Sequence, residues 1–285
     1  MKTKKLLYLF SMTLLFSACV PTIFYQVYNV KSIQETISKT DEFFFEDENC
    51  KISYNLWESG GNIGFNFFNK TDNIIYVKLN QSNFILNGFA YDYFKNRTFT
   101  TTKRRFASAS NTLSGSVAVT GINILKNIQT NQVKSSSAGS IGSSDGSSVS
   151  IEEESLIRIP PNTTKIISEY SINNMLIRNC DLLRYPRIKE IKTKLYTAEK
   201  SPLVFSNRIT YEIKGNSRIV ENDFFVSGIT NYPESEFFEW KYYESCGKKS
   251  YVKGKYYKFY DIDKFYIKYS KGTAAAGAAD YDLKH

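Results

Sequence analysis

Residues 62–88 read NIGFNFFNKTDNIIYVKLNQSNFILNG, and their spacing decides the fold class. Two runs rich in Phe, Ile, Tyr and Val flank a polar turn, Asn69 to Asn73. A third run ends at Asn87-Gly88, a favoured hairpin dipeptide. Strand signals at such close, regular intervals predict a sandwich or barrel. Upstream, KISYNLW (51–57) alternates, and ESGGN (58–62) breaks it with the glycines a hairpin wants. TDEFFFEDEN (40–49) reads as an acidic, aromatic turn region.

Downstream, Lys103-Arg104-Arg105 opens a stretch rich in Ser, Ala, Gly, Thr and Asn that runs to Ser150. Twelve of its last sixteen residues, Ser135 to Ser150, are Ser or Gly, too few apolar groups to offset the entropy of ordering. Residues 103–150 are therefore expected to be a mobile, disordered insertion between two strands, with a short helix or hairpin at Val117 to Ile128. Strand signals resume in SLIRIPPNTTKIISEYSI (155–172), where Pro160-Pro161 stops one strand and Lys165 to Ile172 forms the next. They continue in SPLVFSNRITYEI (201–213), RIVENDFFVSGIT (218–230) and DKFYIKYS (263–270). The expected architecture is all-β, an immunoglobulin-like β-sandwich over residues 41–271, with a frayed tail at 272–285. Its aromatic residues, 21 Tyr and 21 Phe against 2 Trp, suit half-buried strands.

The first nineteen residues, MKTKKLLYLFSMTLLFSAC, carry a different message. Lys2, Lys4 and Lys5 precede an apolar run, Leu6 to Phe16, of signal-peptide length and too short to span a bilayer. Ser17 and Ala18 then place small side chains before Cys19. This arrangement resembles the lipobox of bacterial lipoproteins, with Phe16 where leucine is commonest. The resemblance implies removal of residues 1–18 and acylation of Cys19, which would partner the lipid bilayer. One acyl chain gives marginal attachment and two or three make it effectively permanent. Residues 19–40 are read as anchor and tether strand. Val20 to Val30 contains no acidic residue, which favours attachment to the outer membrane facing the periplasm over export to the cell surface.

YNLWESGGNIGFNFFNKT (54–71), YFKNRTFT (93–100), SPLVFSNRITY (201–211) and ITNYPESE (229–236) resemble stretches of a family of bacterial envelope lipoproteins, a likeness that implies no activity. The succession of strand, Asn-Lys-Thr-Asp turn, strand, Ile-Pro-Pro and strand is similar to immunoglobulin-like domains of other exported bacterial proteins.

The formal charge is +9, falling to +6 if the three lysines of residues 1–18 are lost. Such an excess suits anionic head groups or acidic polysaccharide, while nucleic acid is a poor partner for an exported chain. The single histidine is His285, the last residue, so histidine-based triads and zinc sites would have to recruit the tail. Gly142-Ser143-Ser144-Asp145-Gly146 matches G-x-S-x-G but lacks the strand and helix of a nucleophile elbow. Paired carboxylates could serve a glycosidase. The candidates are the runs Asp41, Glu42, Glu46, Asp47 and Glu48, Glu152 to Glu154, and Asp261 with Asp263. Solvated turns are the simpler reading, and no enzyme activity, cofactor or metal is expected.

Cys50, Cys180 and Cys246 remain once Cys19 is set aside, so one disulfide among them is possible, with one thiol left over. FFEWKYYES (237–245) and KGKYYKFYDIDKFYIKYS (253–270) interleave aromatics with lysines. Trp240, Tyr242, Tyr243, Tyr256 and Tyr257 are the candidate binding residues, as an aromatic platform for a glycan. The alternative is that one face of each strand is core and the other carries ordinary lysines. Ser116 to Ile124 alternates as a membrane-inserting hairpin would, with few apolar residues. The function expected is a non-catalytic interaction or structural module of the cell envelope, with an envelope protein or polysaccharide as partner.

Overall fold

A computed structural model describes residues 23–34, 37–39, 43–104 and 146–271. In chain order, β1 (Ile23–Ser32), β2 (Ile37–Lys39), β3 (Phe43–Glu46), β4 (Cys50–Tyr54) and β5 (Phe65–Asn69) are followed by β6 (Ile75–Lys78), β7 (Asn83–Leu86) and β8 (Phe89–Asp92). Then come β9 (Thr98–Arg104), β10 (Gly146–Glu152), β11 (Leu156–Ile159), β12 (Thr164–Ile167), β13 (Thr193–Leu195), β14 (Val204–Ile213) and β15 (Asn216–Pro233). A short helix, α1 (Glu234–Phe237), leads to β16 (Phe238–Ser245), β17 (Lys248–Tyr257) and β18 (Lys264–Ser270).

Two antiparallel sheets form the sandwich. The larger runs β11-β6-β14-β15-β1-β18, with β7 also on β14, β8 on β7 and β13 on β15; the smaller runs β12-β5-β4-β3-β2. Strands β5 and β6 are consecutive yet lie in opposite sheets, as do β11 and β12, and these crossings give the sandwich its immunoglobulin-like character. Alternation explains the inner face of β5, where Phe65, Phe67 and Asn69 are buried. Rings from both sheets meet in the core: Phe67 lies 5.6 Å from Tyr211, and Phe224 lies 5.2 Å from both Phe43 and Tyr54. Burying each such side chain stabilises the fold by about 1.5–3 kcal/mol.

The turn at Asn69 to Asn73 is built by its own side chains. Asn69 accepts from the Thr71 N–H at 2.9 Å and donates to the carbonyls of Asn73, Ile159 and Pro160. One buried amide thus ties the β5–β6 turn to the Ile-Pro-Pro stop of β11. Asn87-Gly88, Lys214-Gly215 and Cys246-Gly247 each have two residues of positive φ, as type I′ hairpin turns require.

Three expectations change. The strand read as a tether is β1, which lies inside the larger sheet between β15 and β18. TDEFFFEDEN is no turn region at its centre, because Phe43–Glu46 forms β3; Asp47 to Asn49 turn, and residues 40–42 lie outside the described residues. Burial of Phe43 decides that outcome. The insertion is bounded more tightly than 103–150: β9 and β10 pair from Thr98↔Glu152 to Arg104↔Gly146, so the last Ser/Gly residues are strand. Residues 105–145, Cys19, the signal segment, the tail and the readings at 116–128 lie outside the described residues, as does all of the G-x-S-x-G match except Gly146.

Candidate functional site

β15 ends at Pro233, α1 turns the chain, and β16 and β17 leave as a two-stranded ribbon that pairs only with itself. Its root is a cluster of rings. Tyr25 stacks on Phe237 at 4.0 Å, and Phe237 lies 5.1 Å from Tyr266 and 6.0 Å from Trp57. Tyr257 closes the cluster against Trp57 at 5.2 Å. Burial, then the Glu234 carboxylate and Tyr257, push the Tyr25 hydroxyl up to about 12, so it stays neutral at physiological pH.

Beyond the root both faces of the ribbon meet solvent. Directly opposed residues share a face. Phe238↔Tyr257, Trp240↔Lys255 and Tyr242↔Lys253 therefore make one face, while Glu239↔Tyr256 and Lys241↔Gly254 make the other. Alternation puts Tyr243 on the second face too, over Gly254, and the register shifts just after it, between Tyr242 and Glu244. A Cβ at Gly254 would meet the Tyr243 ring at 2.5 Å, so only glycine lets that ring lie down. Trp240 is 64% exposed, and Tyr251, near the tip, is completely exposed at 101%. Lysines cover parts of the first face: Lys255 sits 3.9 Å from the Phe238 centroid and Lys253 4.8 Å from that of Tyr242.

The five expected binding residues are thus brought onto one arm but not onto one platform. Trp240 and Tyr242 share a face, Tyr243 and Tyr256 occupy the other, 6.0 Å apart, and Tyr257 belongs to the root. The reading of one strand face as core holds in β18, where Phe265, Ile267 and Tyr269 are buried, and fails on the arm beyond its root, where both faces are exposed. Sequence reasoning passed over Tyr251, Val252, Lys248 and Lys249. The Cys246-Gly247 dipeptide, between two aromatic runs, is the signal that joins them into one hairpin.

Five of the carboxylates read as glycosidase candidates are used structurally, while Asp41 and Glu42 lie outside the described residues. Asp47 accepts from the N–H groups of Asn49 and Cys50, both at 2.7 Å, and from the Tyr211 hydroxyl at 2.9 Å. Glu153, fully enclosed, accepts from the N–H of Lys95 and of Arg97 and from the Arg97 guanidinium. Glu46, Glu48 and Asp261 pair with Lys70, Arg218 and Lys264. Among the described residues no three His, Cys, Asp or Glu side chains gather as a metal site needs.

No disulfide joins the candidate cysteines Cys50, Cys180 and Cys246, which are all free. Cys50 is buried in β4, where burial and then Asp47 push its thiol far up, while Cys246 occupies an exposed arm-tip turn. A cleft of about 220 Å³ beside Gln26, Arg178, Arg184 and Asn231 is smaller than the ~300 Å³ a small-molecule site needs. Gln26 and Asn231 already spend their amides on each other and on the Ile177 and Leu183 carbonyls. No protein-family model, curated protein or solved structure matches this chain.

Proposed function

We propose that this chain is a lipid-anchored protein of the bacterial cell envelope, held by acylated Cys19, and that its role is a non-catalytic interaction or structural module. The observation that carries the reading is the arm, a ribbon with Trp240, Tyr242 and Tyr251 exposed and, among the described residues, no strand partner beyond itself. Exposed aromatic surface of this kind marks interaction sites. Attachment to the outer membrane with the domain in the periplasm fits the lack of acidic residues from Val20 to Val30. The likeness to envelope lipoproteins belongs to the same reading. A second reading, an envelope polysaccharide held on the arm, is favoured by the exposure of Trp240.

The test combines metabolic acyl labelling with protease treatment of intact cells. The wild-type chain should take up label and Cys19→Ala should not; label that persists in the variant sinks the anchor. Cleavage only after the outer membrane is opened supports the periplasmic placement, and shaving of intact cells refutes it.

A further inference from the structure

We infer that the β16–β17 arm is a lipid-facing surface, laid on the anionic head groups of the membrane in which the chain is anchored. This rests on the acylation of Cys19 proposed above.

Placement is the first argument. Only Val20, Pro21 and Thr22 separate Cys19 from Ile23, so the start of β1 lies within about 14 Å of the anchoring residue. β1 and β15 are antiparallel with Phe24 opposite Pro233, which puts the end of β15 beside the start of β1. The arm leaves from that point, and its root is fastened there by the stacking of Phe237 on Tyr25. An eight-residue ribbon extends about 26 Å, longer than the roughly 14 Å between the start of β1, at its root, and the anchoring residue.

Composition is the second. Residues 238–257 hold five lysines against two glutamates. Lys248, Lys249 and Lys253 make no ion pair among the described residues. Between them stand Trp240, Tyr242 and Tyr251, rings with an apolar body and a polar tip that settle at head-group level. The arm therefore offers anionic lipid both charge complement and interfacial aromatics.

The same end of the domain supplies a third observation. A groove of about 750 Å³ is lined by Phe24, Tyr185, Ile188 and Pro233, with Arg187, Lys189 and Lys271 against the single acid Glu190. Phe24 pairs with both Pro233 and Tyr269, so this apolar, cation-rimmed surface adjoins the anchor from the other strand neighbour. Two separate elements at one end carry the same pairing of apolar and cationic groups.

The test uses the full acylated chain with Trp57→Phe, leaving Trp240 as the only tryptophan. It is reconstituted into vesicles of three parts phosphatidylethanolamine to one part phosphatidylglycerol, some carrying brominated acyl chains. Trp240 emission should shift to the blue and be quenched by the brominated lipid. In vesicles without phosphatidylglycerol, or in high salt, both changes should shrink. A chain beginning at Val20, which keeps every described strand, should bind the anionic vesicles on its own. Replacing Lys248, Lys249 and Lys253 by glutamine in it should weaken binding on the order of 100-fold. If the acylated chain sediments with the vesicles and Trp240 stays unquenched, the arm does not lie on lipid while the anchor stands. If the chain fails to sediment, the anchor reading fails and takes the placement argument with it. A Trp240 response to envelope polysaccharide without lipid, with no quenching in vesicles, overturns the inference in favour of a glycan ligand.

Discussion

Glu153→Ala should lower the folding free energy by about 3 kcal/mol. The Glu153 side chain is wholly enclosed and accepts from the N–H groups of Lys95 and Arg97, each at 3.0 Å, and from the Arg97 guanidinium at 2.8 Å. Truncation leaves two part-buried N–H groups without this acceptor, and each unmade bond costs up to about 1–3 kcal/mol. It also leaves Arg97 with Glu169 as its remaining carboxylate. Removing one member of a buried ion pair costs about 3–5 kcal/mol, and the 28% exposure of Arg97 lets water relieve part of that. Glu153→Gln keeps the volume and one acceptor oxygen, so it should cost about half as much. With an m-value of about 2.5 kcal/mol/M, the alanine variant should lose roughly 1.2 M in urea midpoint by circular dichroism. An Arg97→Met, Glu153→Ala double variant should lose less than the two single losses together, because the pair is coupled. A midpoint within about 0.3 M of wild type would refute the structural role and return the acidic run Glu152 to Glu154 to the list of groups available for chemistry.

Phe224→Ala removes the ring shared by Phe43, Tyr54 and Phe205 and should cost about 3–5 kcal/mol in the same assay; less than 1 kcal/mol would mean the two sheets do not meet there. Burial raises the hydroxyls of Tyr28, Tyr54 and Tyr93 above their ordinary value near 10, so the folded chain keeps protons that the unfolded chain releases. This contribution is complete below about pH 10 and is lost as pH rises further, so unfolding should accompany the tyrosinate absorbance of these rings; ionisation of all tyrosines with the far-ultraviolet spectrum intact would contradict it. A thiol reagent should modify Cys180 and Cys246 in the native protein and Cys50 only on unfolding, since Cys50 is buried with its thiol pKa raised; equal rates for all three would be inconsistent with β4 as described. Gly254→Val should displace Tyr243 and speed proteolysis within the arm with little change in global stability; unchanged cleavage would show that the ring does not lie over Gly254.

Sequence pattern reached as far as local physics reaches. Alternation in residues 62–88 located β5, β6 and β7, and the Asn87-Gly88 dipeptide located the turn to β8. The Asn-Lys-Thr-Asp turn was recognisable because Asn and Thr side chains satisfy their own backbone, although the buried Asn69 link to Pro160 was not. Pairing partners far along the chain leave no local trace, so β1 looked like a tether. Its neighbours β15 and β18 lie at the opposite end of the sequence. On the arm, residue types singled out Trp240 and its tyrosines, but alternation alone could not say that both faces stay in solvent. That depends on β16 and β17 finding no third strand.

The position of β1 also sets the order in which the molecule can assemble. Gln26 on β1 bonds Asn231 across 205 residues of chain, so the middle of the larger sheet cannot close until nearly the whole polypeptide has been made. At about 5–20 residues per second, the first strand waits roughly 10–40 s for its neighbours. The smaller sheet can form its β3-β4-β5 meander early, from contacts close in sequence, while β1 remains an unpaired edge. A nascent chain of this design stays open and extensible until its last strands arrive, and an exposed β1 is the part most in need of protection from premature pairing.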